Sequence, residues 1–407
     1  VVSIAEAQRI ILNHTVTLSA AEAPLVRCLG RIVAEDQIAS RDVPPADNSA
    51  MDGFAFSHAT LSCNVLRVTG VLPAGESRDI PVPAGEAIRI MTGAPLPPGC
   101  DTVVPIEDVV EDGDAIRLSA PVTAGSHVRK RGEDIRRGEI VIPAGTLLRP
   151  QEIGMLAAMG RMSVPVFRTA RVAILSTGDE LLEPGMTPAP GKIVNSNSYS
   201  LATQVLEAGA DPVMLGIAAD ERSATLEKVT AGLQADFLVT TGGVSVGDRD
   251  YVKDTIEELG GEILFWKVNM KPGKPVAFAV VGGKPVFALP GNPVAAMVAF
   301  EQFVRPALLK AMGHRRILRP VVKATLLEGV ENRGKRPHLV RGLVELRNGR
   351  YWVATTGNQS SGRLASLTGG NGLIVLAPEV TLPCGREVDV QLLDRSFEMG
   401  EFPHDVR

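Results

Sequence analysis

The stretch D-F-L-V-T-T-G-G-V-S-V-G-D-R-D-Y, Asp236 to Tyr251, reads as a strand, a glycine turn and the start of a helix. Phe237 to Thr240 is an apolar run without polar alternation, the pattern of a strand covered on both faces of a sheet. Gly242, Gly243 and Gly247 free the backbone to turn tightly. Asp248 to Gly260 reads as a helix that opens on acids and stops at Gly260-Gly261. Unpaired N–H groups at such a turn can face a phosphate, and glycine lets the ligand come close. A glycine turn after a strand also occurs for packing alone, so the neighbouring segments must decide.

Those neighbours repeat the pattern. Arg171 to Ser176 predicts a strand followed by the turn Thr177-Gly178-Asp179-Glu180-Leu181, and Asn195 to Ala208 a helix closed by Gly209. Val213 to Ile217 is the next strand, with Asp220 just past it, and Ser223 to Leu233 the next helix. Ala277 to Val281 and Pro285 to Leu289 add strands, and Pro290-Gly291-Asn292-Pro293 caps a helix running to about Ala311. This alternation predicts a doubly wound α/β domain. Thr177, Gly178, Glu180, Asp220, the turn Thr241, Gly242, Gly243, Ser245, Gly247 to Asp250, and Pro290 to Pro293 all follow strands. In an open parallel sheet they line one edge, where ligands bind.

Around this centre the pattern changes. Ser3 with Glu6 resembles a capping box opening a helix through Leu12, with Ile4, Ala7, Ile10 and Ile11 on one face. Ala21 to Glu35 reads as a second amphipathic segment or a helix-to-strand passage, and Ser40 to Ala55 as a long loop, either functional or a linker. Val65 to Ile142 is all-β, with short runs such as Ala87 to Met91, Thr102 to Pro105 and Ala115 to Leu118, which predicts a small barrel-like insert. Gln151 to Met159 is again helical. If the first helices pack with it, residues 1–39 and 140–168 form a discontinuous helical N-terminal domain interrupted by an inserted β domain, 40–139. The α/β domain then spans 169–317 and a C-terminal β domain 318–407, with runs at Val321 to Leu326, Leu339 to Leu346, Tyr351 to Thr355, Leu373 to Leu376 and Glu387 to Leu392.

Composition narrows the function. With 407 residues and 45% hydrophobic content the chain can bury several cores. A net charge of −4 and only 4% aromatics argue against a nucleic-acid binder. The basic clusters at 129–137 and 315–319 read as solvated surface. Cys28, Cys63, Cys100 and Cys384 form no C-x-x-C pair, which fits a reducing compartment, and no apolar run is long enough to span a bilayer; a cytoplasmic protein is expected.

Glu180, Asp220, Asp248 and Asp250 would converge at the ligand edge, although helix capping accounts equally well for Asp248 and for Asp179. Carboxylates at an anion-binding edge make sense if a cation bridges them to the ligand, and all-oxygen ligation favours Mg²⁺. Lys267, Lys271 and Lys274 in W-K-V-N-M-K-P-G-K-P add positive charge. No Ser-His-Asp or Cys-His arrangement is evident, so metal, charge and positioning would carry the chemistry.

Seven motifs occur in order: S-A-M-D-G-F-A at Ser49, I-M-T-G-A-P at Ile90, R-G-E-D-I at Arg131, S-T-G-D-E-L at Ser176, T-G-G-V-S-V-G-D at Thr241, K-P-G-K-P at Lys271 and L-P-G-N-P at Leu289. Over essentially its whole length the chain resembles the molybdopterin molybdenumtransferase family, the bacterial MoeA proteins related to the gephyrin E domain. The resemblance implies an elongated homodimer of four-domain subunits whose central α/β domain binds molybdopterin, with the active site at the subunit interface. It implies Mg²⁺-dependent insertion of molybdate into adenylylated molybdopterin, releasing molybdenum cofactor and AMP, with a molybdopterin adenylyltransferase as partner. By matched motif, Asp52 and Thr92 would face the site from the partner subunit. Glu180, Asp220 and Asp250 would be the functional acids and metal ligands, Lys267 and Lys271 would bind substrate, Pro290 and Pro293 would shape the adjacent turn, and Arg341 and Ser361 would line an anion site. Phe54 stands where many members have Tyr, and Gly370-Asn371 replaces the usual Ala-Asn, which bears on substrate positioning rather than on the acids. A non-catalytic molybdopterin-binding or scaffold protein of the same fold is the alternative.

Overall fold

The computed structural model describes residues 1–187, 189–243 and 251–399. By contact density they divide into two compact units: residues 22–29 with 33–166, and residues 1–21, 30–32 and 167 onward.

The larger unit is built on a six-stranded sheet. Its strands are β1 (Arg171–Thr177), β2 (Asp211–Ala218), β3 (Phe237–Thr241), β4 (Glu262–Phe265), β5 (Ala277–Val281) and β6 (Lys284–Leu289), in the spatial order β2-β1-β3-β6-β5-β4. The four strands β2, β1, β3 and β6 pair in parallel, as expected. β5 and β4 pair antiparallel, and β4 is a strand that the sequence pattern had not marked. Every residue of β3 is buried, because apolar layers cover both faces of the sheet.

Helix α1 (Ile4–Asn13) starts where expected: the Ser3 hydroxyl accepts the Glu6 N–H at 3.1 Å. Its partners are not those expected. Ala7 and Ile11 are wholly buried in one apolar cluster with Val172, Ile174, Phe278 and Phe303, so α1 belongs to the α/β unit and not to a helical domain with residues 140–168. The alternating apolar face predicts that a helix is buried, but not against which neighbour.

Beside the short pair Val330–Asn332 and Val380–Leu382, five strands build the C-terminal domain: β7 (Val321–Leu326), β8 (His338–Arg347), β9 (Arg350–Thr355), β10 (Gly372–Leu376) and β11 (Glu387–Leu392). They close into a barrel in the order β7-β9-β8-β10-β11. Alternate β8 residues serve two cores: Val340 and Val344 fill the barrel, while Leu339 joins the α/β core. The barrel and the α/β domain are therefore one compact unit.

In the smaller unit, α2 (Pro150–Ala158) is the helix expected near Gln151. The segment from Ala21 to Glu35 is not an amphipathic helix. It contains the end of the short strand Ala20–Pro24 and the single 3₁₀ turn Leu25–Arg27. A six-stranded sheet runs in the order Thr102–Pro105, Gly53–Phe56, Glu86–Ile90, Val65–Leu72, Ala115–Leu118, Val109–Asp112, and does not close into a barrel. All of the strand Gly53–Phe56 but its last residue lay within the predicted loop, Ser40 to Ala55. All four of its residues are buried, and a Cβ on Gly53 would lie 2.0 Å from the Val104 carbonyl oxygen, so strand pairing at this point needs glycine.

Candidate functional site

The C-terminal ends of β1, β3 and β6 converge on a cleft of about 750 Å³. It is lined by Thr177, Gly178, Glu180, Asp220, Thr241, Gly242, Gly243, Pro290 and Pro293, all singled out from sequence. This is the strand-end edge at which open α/β sheets hold ligands.

Each turn is shaped by a close backbone approach. Gly242 has φ +89°, and a Cβ there would stand 2.5 Å from the Thr177 carbonyl oxygen, so only glycine lets the β3 turn lie against the β1 turn. The Thr177 hydroxyl, 94% buried by residue exposure, has no hydrogen-bond partner among the described residues. Gly178 is covered by the Glu180 carboxylate, whose Oε2 would be 2.4 Å from a Cβ at that position.

The two neighbouring acids divide their tasks. Asp220 N–H donates to Asp179 Oδ1 at 3.0 Å, and Asp179 N–H donates to Asp220 Oδ2 at 3.4 Å, a reciprocal pair that holds the β1 and β2 turns together. Lys192 Nζ donates to the Asp179 carbonyl at 2.5 Å. Asp179 is therefore a turn-locking residue, while Glu180 and Asp220 line the cleft.

Beneath the cleft lies a buried polar layer that sequence reading missed. Ser176 Oγ is 2.7 Å from Ser198 Oγ and donates to Asn195 Oδ1 at 3.0 Å. Asn197, the first residue of α3 (Asn197–Glu207), donates from Nδ2 to Thr241 Oγ1 and to the Gly291 carbonyl, both at 2.8 Å. The sequence N-S-N-S at Asn195 to Ser198, four polar residues at the start of an amphipathic helix, is the signal that was available.

Other predicted residues lie elsewhere. Ser245, Gly247, Asp248 and Asp250 fall outside the described residues. Lys267, Lys271 and Lys274 do not line the cleft, although Pro275 does, and none makes an ion pair among the described residues. Lys271 docks by its backbone on the barrel: its N–H donates to the Pro337 carbonyl at 2.9 Å, and its carbonyl accepts the Leu339 N–H at 2.8 Å.

Arg341 is fully buried. Its Nε donates to Ser366 Oγ and its Nη2 to the Ser360 carbonyl, each at 3.1 Å, while Nη1 has no partner among the described residues and burial lowers the pKa of the side chain. Ser361 meets the α/β domain through its carbonyl, which accepts the Val294 N–H at 3.1 Å, and the next residue, Gly362, lines the cleft.

In the smaller unit, Asp52 Oδ1 accepts both the N–H and the hydroxyl of Thr92 at 2.7 Å, and these two bonds hold the Asp52 carboxyl below its ordinary pKa.

Among the described residues no three His, Cys, Asp or Glu side chains come together as a metal-binding group. Glu180 and Asp220 nevertheless supply two hard oxygen donors at a glycine-rich edge. That set suits Mg²⁺, which takes one or two carboxylates and completes its shell with phosphate oxygens and water.

Three family models match the chain: the MoeA N-terminal region (domains I and II) over residues 2–160, a probable molybdopterin-binding domain over 173–310, and the MoeA C-terminal region (domain IV) over 323–393. The chain is 36% identical over 393 residues to molybdopterin molybdenumtransferase 2 of Mycobacterium tuberculosis, spanning 93% of this chain and 96% of that protein. It is 37% identical over 372 residues to the molybdopterin molybdenumtransferase of Nostoc sp., spanning 88% and 85%. The crystal structure of a molybdopterin biosynthesis MoeA protein from Pyrococcus horikoshii matches with a TM-score of 0.80 at 30% identity, covering 96% of this chain and 100% of the other. Cleft, domain order and relatives agree: the chain belongs to the molybdopterin molybdenumtransferase (MoeA) family of molybdenum cofactor biosynthesis.

Proposed function

We infer that the chain inserts molybdate into adenylylated molybdopterin, releasing molybdenum cofactor and AMP. The observation that carries this reading is the cleft itself. Glycine turns from β1 and β3 line the cleft with backbone, and the carboxylates of Glu180 and Asp220 stand at the same edge. A phosphoanhydride fits such a site if its charge is shared with a cation.

Glu180 and Asp220, with Asp250, are the residues that would hold Mg²⁺. When bound, the ion would polarise the phosphoanhydride as a Lewis acid. The chain's own part is positioning. Thr177, Gly178, Thr241, Gly242 and Gly243 seat the phosphates, and Ser245 and Gly247 of the same motif would share that role. Pro290 and Pro293 fix the facing wall, while Lys267, Lys271 and Lys274, which do not line the cleft, and the buried Arg341 with Ser361 would add charge and polarity for molybdate from outside it. No protein nucleophile is needed: the dithiolene thiols of the substrate displace molybdate oxygens, which leave as water, and a water molecule cleaves the phosphoanhydride to release AMP. In this reading the chain works in the cytoplasm as a homodimer, Asp52 and Thr92 act in the partner's site, and the substrate comes from a molybdopterin adenylyltransferase. None of the chain's described helices is long and apolar enough to cross a membrane.

The test is AMP release from purified protein loaded with adenylylated molybdopterin, with and without molybdate, in Mg²⁺ and in chelator. Release that requires both molybdate and metal is expected. Asp220→Asn and Glu180→Gln should each lower kcat by about 100-fold, the scale of losing one electrostatic contact to a transition state, with unchanged thermal unfolding. Tight binding without release from the parent protein would point to a carrier or scaffold instead.

A further inference from the structure

Asn197 joins two strand ends through a single amide. Both of its Nδ2 hydrogens are used, one on Thr241 Oγ1 at the end of β3 and one on the Gly291 carbonyl just past β6. Thr241 passes the connection on, donating its hydroxyl to the Pro290 carbonyl at 2.9 Å, and Gly242 N–H donates to the Leu289 carbonyl at 3.2 Å. These acceptors also settle which way the amide is turned. A carbonyl can only accept, and the Thr241 hydroxyl already donates to Pro290, so both face the nitrogen of Asn197.

The connection lies directly under the ligand edge. Asn197, Thr241, Gly242, Pro290 and Gly291 all line the cleft, and a Cβ on Gly291 would stand 3.7 Å from Gly242 Cα, so the two turns are in contact. Any change in the Thr241-to-Gly291 spacing reshapes the cleft floor. We propose that Asn197 is a positioning residue that sets the separation of the β3 and β6 turns and so the geometry in which the phosphate-bearing substrate is held. The choice of substrate probe rests on the molybdopterin reading above; the clamp itself does not.

The test compares Asn197→Ala, Asn197→Asp, Thr241→Val and the double variant Asn197→Ala/Thr241→Val in the full-length protein. Measurements are affinity for adenylylated molybdopterin, kcat and KM of AMP release, and amide hydrogen exchange in peptides covering residues 237–243 and 286–292. Asn197→Asp keeps the size and replaces both donors by an acceptor, and Thr241→Val keeps the shape of the side chain, so either serves if Asn197→Ala does not fold. The expected result is an affinity loss and a KM rise of about tenfold, with kcat changed much less. Exchange should be faster in both peptides, and the double variant should be no weaker than the worse single one, as for two ends of one connection.

Unchanged affinity and unchanged exchange in the folded variants would overturn the proposal, whatever happens to thermal stability. If the parent protein fails to bind adenylylated molybdopterin, the functional reading falls. The exchange measurement still decides the clamp, and equal exchange in parent and variants would refute it.

Discussion

At Gly242 the requirement for glycine is geometric: a positive φ, with the Thr177 carbonyl where a side chain would stand. Gly242→Ala is expected to cost about 1–3 kcal/mol in strain and to push the β1 and β3 turns apart. Calorimetric binding of adenylylated molybdopterin should weaken alongside the fall in Tm. Asp236, at the foot of β3, is a different kind of residue. Burial pushes its pKa up, but two hydrogen bonds from Arg168 at 2.6 Å, the Arg171 N–H and the charge of Lys284 outweigh burial and hold it below the ordinary value. A depressed carboxylate stabilises the fold above its unfolded pKa, and that stability is lost as pH falls through the folded pKa. Asp236→Asn should therefore cost about 1–3 kcal/mol at neutral pH. The gap to the parent in urea unfolding should shrink as the pH is lowered past 3.8, the ordinary value of the group. Glycines and acids placed after strands were legible in sequence because they break a pattern. Asn197 was not, because its significance lies in two contacts 44 and 94 residues away.

Elements were legible where packing is uniform. β5 and β11 have the limits expected from their apolar runs, and β3 extends one residue further, to Thr241. The failures fell where tertiary partners overrule local pattern. Phe54 and Phe56 pull Gly53–Phe56 out of a proline-rich loop into a sheet, and α1 is taken into the α/β core. The basic cluster near residue 319, expected on the surface, is also partly drawn inward: Arg319 is mostly buried, donating to Glu301 at 2.9 Å and to Glu207 at 2.6 Å. The placement of α1 has a direct check. Ile11 is wholly buried against the α/β cluster, so Ile11→Ala should cost about 2–4 kcal/mol. Hydrogen exchange should rise in β1 and β5, which share that cluster, and not in α2. Faster exchange confined to α2 would return α1 to the domain predicted from sequence.

For the whole molecule, acid sensitivity has a second source, in β8. Burial, aided by Lys271, Arg341 and Arg336, lowers the pKa of His338 from 6.5 to about 4. The unfolded chain takes up this proton at a higher pH than the folded one, so stability falls as the pH drops from 6.5 to about 4, by up to about 3 kcal/mol. His338→Gln should flatten that part of the stability profile. The proposed dimer is tested by mixing two inactive proteins, Asp52→Ala and Asp220→Ala. If each site draws on both subunits, subunit exchange should restore about a quarter of parental AMP release, since half the dimers are mixed and each of those has one intact site. No recovery after demonstrated exchange would place Asp52 outside the partner's site.

The closed barrel of β7 to β11 bears on how this protein fails when heated. Closure leaves the five-stranded ladder without a free edge, whereas the α/β sheet ends in β2 on one side and β4 on the other, and the smaller unit's six-stranded sheet ends in Thr102–Pro105 and Val109–Asp112. Intermolecular β-structure formed on partial unfolding should therefore grow from these open borders rather than from the barrel. Aggregates isolated near the Tm and digested with protease should keep peptides from β2, β4, Thr102–Pro105 or Val109–Asp112, while the barrel strands are cut away.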